Sequence, residues 1–306
     1  MSASGGRLAD SGECEVLIAR LIADQTALSA QLDGIVRAVE ASGATVLGAD
    51  PLPGDEGVLQ LMINGGDAAA LRGVIDRLIS PSDLLITDHL PQVPRVFVSD
   101  MDSTMIGQEC IDELADFAGI KHQIAAITER AMQGELDFAA ALTERVRLLA
   151  GLDEAAIQQC LDERIRDMPG AATLVATLKA HGCETVLVTG GFHQFADPVA
   201  QRLGFERVVG NRLAVEQGRL TGGLLGDIVD SAVKERVLRD CVAAADGGHS
   251  LATGDGANDI PMLQAAHYGV AYHAKPKARA AANGAVDHGD LTSVLRLLGI
   301  SQSEWA

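Results

Sequence analysis

The sequence predicts an α/β protein: a parallel sheet with helices on both faces, a helical insert after its first strand, and a smaller α+β unit ahead of it. Three observations carry this expectation. Short apolar runs at Val96 to Ser99, Glu184 to Val188, Ser250 to Thr253 and Gly269 to Tyr272 alternate with helical stretches, the pattern of parallel strands joined by crossover helices. Between the first of these runs and the helix near Gly170 lies an almost wholly helical segment, from about Gln108 to Met168, too long for a crossover and therefore read as a cap. The first 91 residues follow a different rhythm, and a chain of 306 residues is long enough for two domains. The expected division is 1–91 and 92–306, with the cap at about 108–168, and Pro91 and Pro94 flank the linker.

In the N-terminal unit, Cys14 to Leu21 is a strand-like run. Thr26 to Ser42 has helical spacing through Leu28, Leu32, Ile35, Val36 and Val39, and Gly43 ends it. Thr45 to Gly48 and Gly57 to Ile63 read as strands joined through a turn at Pro51 to Gly54. Ala68 to Ile79 puts Leu71, Val74, Ile75 and Leu78 on one helical face, and Leu84 to Thr87 closes a βαββαβ order. That order suits a small split βαβ sandwich. Farther along, Arg207 to Leu225, with Gln217-Gly218 at a turn, reads as a β-hairpin.

Composition excludes several function classes. The formal net charge is −18 and aromatic residues are 3%, so neither a general positive field nor base stacking is on offer to nucleic acid. A hydrophobic fraction of 47% with 22% charged residues is that of a globular chain able to bury a core. No run approaches the roughly 18 apolar residues of a membrane span, and Met1 to Asp10 lacks the basic-then-apolar order of a secretory signal. The expectation is a cytoplasmic protein with no membrane partner. Cys14, Cys110, Cys160, Cys183 and Cys241 are dispersed and odd in number, and are read as reduced thiols.

The chemistry begins at Asp100-Met101-Asp102-Ser103-Thr104, directly after the Val96 to Val98 run. Two carboxylates two residues apart at a strand end can serve one phosphoryl centre as nucleophile and acid/base; a helix N-cap with a spare acid would look the same. Gly254-Asp255-Gly256-Ala257-Asn258-Asp259 then puts two more carboxylates at a second strand end. So many acids at one sheet edge repel unless a hard cation holds them, and oxygen-only ligands favour Mg²⁺. Thr189-Gly190-Gly191 offers a hydroxyl and backbone N–H groups to phosphate oxygens, although Thr-Gly-Gly is also a common turn. Lys234, on an expected helix, reads in isolation as a surface lysine. Lys275, Lys277 and Arg279 read as a solvated helix face.

These four elements, in this order, resemble the haloacid dehalogenase superfamily of phosphotransferases and, within it, the phosphoserine phosphatases. The likeness runs over Arg95 to Leu298 and includes Glu109, Met132 through Arg145, Asn211-Arg212-Leu213 and Ala274-Lys275-Pro276-Lys277. One departure is Thr189, where many members have serine; either hydroxyl can donate to phosphate. The resemblance implies a Rossmann-like core with an inserted helical cap, beside a ferredoxin-like N-terminal domain whose order resembles the ACT-type regulatory fold. Such domains often carry a glycine in the first strand-to-helix turn, whereas this chain has Asp24, Gln25 and Thr26, which speaks against amino-acid binding there.

The resemblance also implies roles. Asp100 would attack phosphorus and Asp102 would act as acid, then base. Mg²⁺ would be held by Asp100, the Asp102 main-chain carbonyl and Asp255, with Asp259 orienting Lys234 from outside that set. Thr189, Gly190, Lys234 and Asn258 would hold the phosphate. In the cap, Glu109 would receive a substrate ammonium and Arg145 a carboxylate, with Met132 and Phe138 as an apolar wall; without the resemblance, all four read as ordinary surface or core residues of amphipathic helices. The implied reaction is Mg²⁺-dependent hydrolysis of O-phosphoserine. The alternatives are a phosphatase or phosphotransferase of the same fold acting on another small phosphomonoester, and a non-catalytic amino-acid sensor. Pairing of two copies through the N-terminal unit is an expectation from analogy.

Overall fold

The computed structural model describes residues 16–132 and 135–306, with only the backbone of Met132, so the expected strand start at Cys14 lies outside it. The N-terminal elements follow the expected order: β1 (Val16–Ala23), α1 (Gln25–Ala41), β2 (Thr45–Leu52), β3 (Asp55–Asn64), α2 (Ala68–Leu78) and β4 (Ser82–Thr87). The four strands lie antiparallel in the order β2-β3-β1-β4, the split βαβ arrangement. Asp24 and Asp67 cap the two helices, accepting from Ala27 N and Ala70 N. Leu28, Ile35 and Val39 of α1 and Leu71, Val74 and Ile75 of α2 pack on the inward residues of β1, β3 and β4.

The remaining strands are β5 (Val96–Ser99), β6 (Glu184–Phe192), β7 (Arg207–Asn211), β8 (Leu213–Glu216), β9 (Arg219–Leu224), β10 (Ser250–Gly254), β11 (Tyr268–Tyr272) and β12 (Gly284–Val286). Helices α3 (Cys110–Phe117), α4 (Lys121–Met132), α5 (Phe138–Leu148) and α6 (Ala155–Glu163) form the insert. They are followed by α7 (Ala171–Ala180), α8 (His193–Leu203), α9 (Ser231–Ala244), α10 (Ile260–Ala265), α11 (Pro276–Ala281) and α12 (Thr292–Leu298). Six strands are mutually parallel in the order β12-β11-β10-β5-β6-β7. Every residue of β5, β10 and β11 is buried, as a sheet covered on both faces requires. Alternation along β5 sends Phe97 to the layer holding α7, α8, α12 and the cap, and Val96 and Val98 to the layer holding α9 and α10.

Two features differ from the sequence expectation. Arg207 to Leu225 is not one hairpin: Arg207–Asn211 pairs with β6 as the parallel edge strand, and the hairpin begins at Leu213. Asn211 makes the break, donating to Gly190 O at 2.8 Å and accepting from Val229 N at 2.9 Å. The N-terminal sheet is also continuous with the parallel one, because β4 pairs antiparallel with β12 to give ten strands in a row. Asp83 of β4 reinforces that junction by accepting from the backbone N–H groups of Asp287, His288 and Gly289. Arg296 pairs with Asp55, and Arg279 with Asp76. No helix among the described residues is long and apolar enough to cross a membrane. Cys110, Cys160, Cys183 and Cys241 are buried free thiols.

Candidate active site

In a doubly wound sheet, ligands bind beyond the carboxyl ends of the strands, where the strand order reverses. Here the reversal lies at β5, between β6 and β10, the strands that end in the motifs singled out above. A cleft of about 190 Å³ opens at that point. The core side supplies Asp100, Asp102, Thr189, Gly190, Asp255 and Asn258, and the cap supplies Glu109, Phe138 and Arg145. Ile111, Leu142 and Phe192 add apolar lining.

Lys234 lies beneath this floor and is 1% exposed. Its ammonium bridges Asp100 Oδ1 at 2.8 Å and Asp259 Oδ1 at 2.7 Å. Burial alone would push this lysine down; the two carboxylates outweigh it and hold the ammonium above its ordinary value. Asp100 Oδ1 also accepts from Met101 N at 2.8 Å. Burial, then the nearby Asp259, pushes Asp100 well up from the usual carboxylate range. Asp259 Oδ2 accepts from Gly256 N at 3.0 Å, so both of its oxygens are engaged within the protein. The approach of Asp259 to β10 needs a glycine there: a Cβ on Gly254 would lie 2.5 Å from the Asp259 carboxyl carbon.

Asp102 occupies the other side of the floor. Its Oδ1 is buried and has no hydrogen-bond partner among the described residues. Burial, reinforced by the Glu109 charge, raises its pKa to about 7. Glu109 accepts from Ser103 Oγ at 2.9 Å. Its carboxyl is raised, chiefly by lost solvent within the cleft mouth and also by Asp255, although the residue as a whole remains exposed. Thr189 Oγ1 accepts from Gly191 N at 2.8 Å, within the irregular stretch of β6 between Val188 and Phe192. Phe138, the first residue of α5, covers Gly190 so closely that a Cβ there would lie 3.0 Å from the ring. Arg145 Nε donates to Ala141 O one turn back, and burial lowers the guanidinium against the pull of Asp112 and Glu109.

Oxygens of Asp100, Asp255 and Asp259 lie within 4.8 Å of one another, all on buried residues. An all-oxygen, like-charged set of this kind fits a hard divalent cation. Of the residues expected from sequence, the structure brings together all but three at the cleft surface: Lys234 and Asp259 sit just below it, and Met132 is not among its described lining. Met132 closes α4, and its side chain lies outside the described residues.

Lys275 is a lining residue that the sequence reading assigned to a solvated helix face. Its Nζ stands 3.3 Å from Asp255 Oδ2. The available signal was positional, since Lys275 follows β11, the strand beside β10, by three residues and therefore emerges at the same sheet edge. Arg279 is likewise no solvated residue but pairs with Asp76 and Asp287, while Lys277 is exposed as expected.

A six-stranded parallel sheet in this order, with acidic strand ends beneath a helical cap, defines a class. A family model of haloacid dehalogenase-like hydrolases matches residues 97–264 and another of the same description matches 243–298. The chain belongs to this family of hydrolases, whose phosphatases are generally metal-dependent. It is 45% identical over 210 residues to the phosphoserine phosphatase of Albidiferax ferrireducens, spanning 66% of this chain and 89% of that one. With the phosphoserine phosphatase of Haemophilus influenzae it shares 41% over 220 residues, 71% and 70% of the two chains. The crystal structure of a probable phosphoserine phosphatase from Vibrio cholerae superposes with a TM-score of 0.71 at 29% identity, covering 95% of this chain and 88% of that one.

Proposed function

We propose that this chain is a Mg²⁺-dependent phosphoserine phosphatase that hydrolyses O-phosphoserine to serine and phosphate in the cytoplasm. The observation that carries the reading is a single cleft in which Asp100, Asp102 and Thr189 on the core face Glu109 and Arg145 on the cap. The core residues suit a phosphomonoester, and the cap residues suit the two ends of an amino acid.

Asp100 Oδ1 is committed to Lys234 and Met101 N, so Oδ2 is the oxygen left to attack phosphorus. As that bond forms, the bond from phosphorus to the serine oxygen breaks, and Asp102 hands its proton to the departing oxygen. Asp102, now a carboxylate, takes a proton from the water that attacks the aspartyl-phosphate, and release of phosphate regenerates Asp100. Thr189 Oγ1 accepts from Gly191 N two residues on, which leaves the hydroxyl proton for a phosphate oxygen. Lys234 and the Gly190 N–H offset the charge that shifts onto the equatorial oxygens. Arg145 can grip the substrate carboxylate with its planar fork, and Glu109 can accept from its ammonium. Phe138, seated on Gly190, excludes water from above.

Asp100, Asp255 and the Asp102 main-chain carbonyl would hold Mg²⁺, which supplies neutralising charge to the phosphate. Asp259, with both oxygens engaged, serves to orient Lys234. The test is phosphate release from a panel of phosphomonoesters, with chelator and after adding back Mg²⁺ or Ca²⁺. O-phosphoserine should be preferred, chelator should stop the reaction, and Mg²⁺ should restore it better than Ca²⁺, which takes more ligands in looser geometry. Preference for a substrate lacking the amino-acid end, or full activity in chelator, would overturn the reading.

A further inference from the structure

The cleft holds one cation that the reaction scheme leaves unused. Lys275 Nζ stands 3.3 Å from Asp255 Oδ2, and its side chain is 63% exposed where that of Asp255 is 9% exposed. The backbone at this position is fixed: Lys275 N donates to Asp255 O at 2.9 Å, and Pro276 follows as the first residue of α11. Farther along α11, Ala278 is fully buried, and Arg279 forks onto Asp76 with two bonds of 2.8 Å and onto Asp287 with one of 2.7 Å. The main chain of Lys275 therefore cannot retreat from Asp255, whereas its four-carbon stem can swing. Lys234 contrasts with it in every respect, being buried, bridged by two carboxylates and immobile.

We infer that Lys275 is a displaceable counter-ion of Asp255, a positioning residue that competes with a divalent cation for the same carboxylate and thereby sets the affinity of the site. The inference rests on the reading of Asp255 as a metal ligand. The physical argument is competition for one group. An ammonium on Asp255 Oδ2 and a divalent cation on the same carboxylate repel each other, so binding must include the cost of moving Lys275 away. Glu109 lines the same cleft and feels the Lys275 charge, so a second carboxylate is close to the swinging ammonium. A site of several carboxylates without such a counter-ion would bind the cation more tightly and would repel itself more strongly when empty.

Calorimetric titration of Mg²⁺ into the chelator-stripped full chain tests this without any measurement of turnover. K275M keeps the stem and removes the charge, and it should bind Mg²⁺ on the order of tenfold more tightly, since giving up an ammonium–carboxylate attraction at 3.3 Å costs about that much even at the dielectric constant of water. K275R keeps the charge and should stay near the wild-type affinity. Unchanged or weaker binding by K275M would overturn the inference, as would K275R behaving like K275M. If the wild-type chain binds no Mg²⁺, the metal reading falls and this inference falls with it; if it binds while K275M is unaltered, only the inference about Lys275 falls.

Discussion

Lys234→Met should unsettle the core more than any other single change at the site, and its cost can be worked from three distances. The ammonium stands 2.8 Å from one carboxylate oxygen and 2.7 Å from another, and all three side chains are buried. Removing it leaves Asp100 and Asp259 with oxygens no more than 4.8 Å apart and no cation between them. At an effective dielectric constant near 20, two unit charges at 4.8 Å repel by about 3.5 kcal/mol. That figure agrees with the roughly 3 to 5 kcal/mol lost when one partner of a buried ion pair is deleted. The assay is urea unfolding in chelator, followed by the fluorescence of Trp305, the one tryptophan in the chain, which packs against the main core. A second variant isolates the cause. Lys234→Met combined with Asp259→Asn removes one of the two opposed charges and should recover more than half of the loss. A loss below about 1 kcal/mol, or a double variant no more stable than the single one, would refute the view that Lys234 is the electrostatic keystone of the strand ends.

Asp102→Asn should slow phosphoserine turnover by roughly 10²- to 10⁴-fold, while an aryl phosphate, whose leaving group needs little protonation, should give a burst of alcohol near one equivalent and then a slow steady state; no burst would remove Asp102 from the second step. Arg145→Ala should lower kcat/KM for phosphoserine by roughly 10- to 150-fold, the equivalent of one charged hydrogen bond, and leave a phosphomonoester without a carboxylate almost unaffected; equal losses on both would make Arg145 a structural residue. Asp83→Ala should destabilise the chain by about 3 kcal/mol, because it strands three backbone N–H groups at the junction of β4 with the loop after β12; a change in the urea midpoint worth less than about 1 kcal/mol would mean that solvent or neighbouring groups replace the lost acceptor.

The strand-end motifs were legible in sequence because their geometry is local. A β-branched run followed at once by Asp100-Met101-Asp102, and a short strand-like run, Ser250 to Thr253, followed by Gly254-Asp255-Gly256, specify where the carboxylates emerge with no knowledge of the rest of the chain. The N-terminal order was legible for the same reason, since β1 is an almost continuous apolar run, the later part of β3 alternates with a period of 2, and a period of 3.6 persists in α1 and α2. Three features needed the tertiary structure. Gly284–Val286 is too short to carry a period, yet it joins the two sheets because β4 offers it an open edge. Arg207–Asn211 reads like the first arm of a hairpin, and only its pairing with β6 and the two bonds of the Asn211 side chain make it the outer parallel strand. Lys275 and Arg279 looked alike on a short basic helix, but Lys275 precedes α11 with extended backbone, whereas Arg279 lies in the last turn of that helix. One therefore faces Asp255 in the cleft and the other faces Asp76, a residue 203 positions earlier in the chain. Which carboxylate each cation meets follows from the stacking of strands at one sheet edge and the docking of α2 against α11, long-range outcomes that no local spacing encodes.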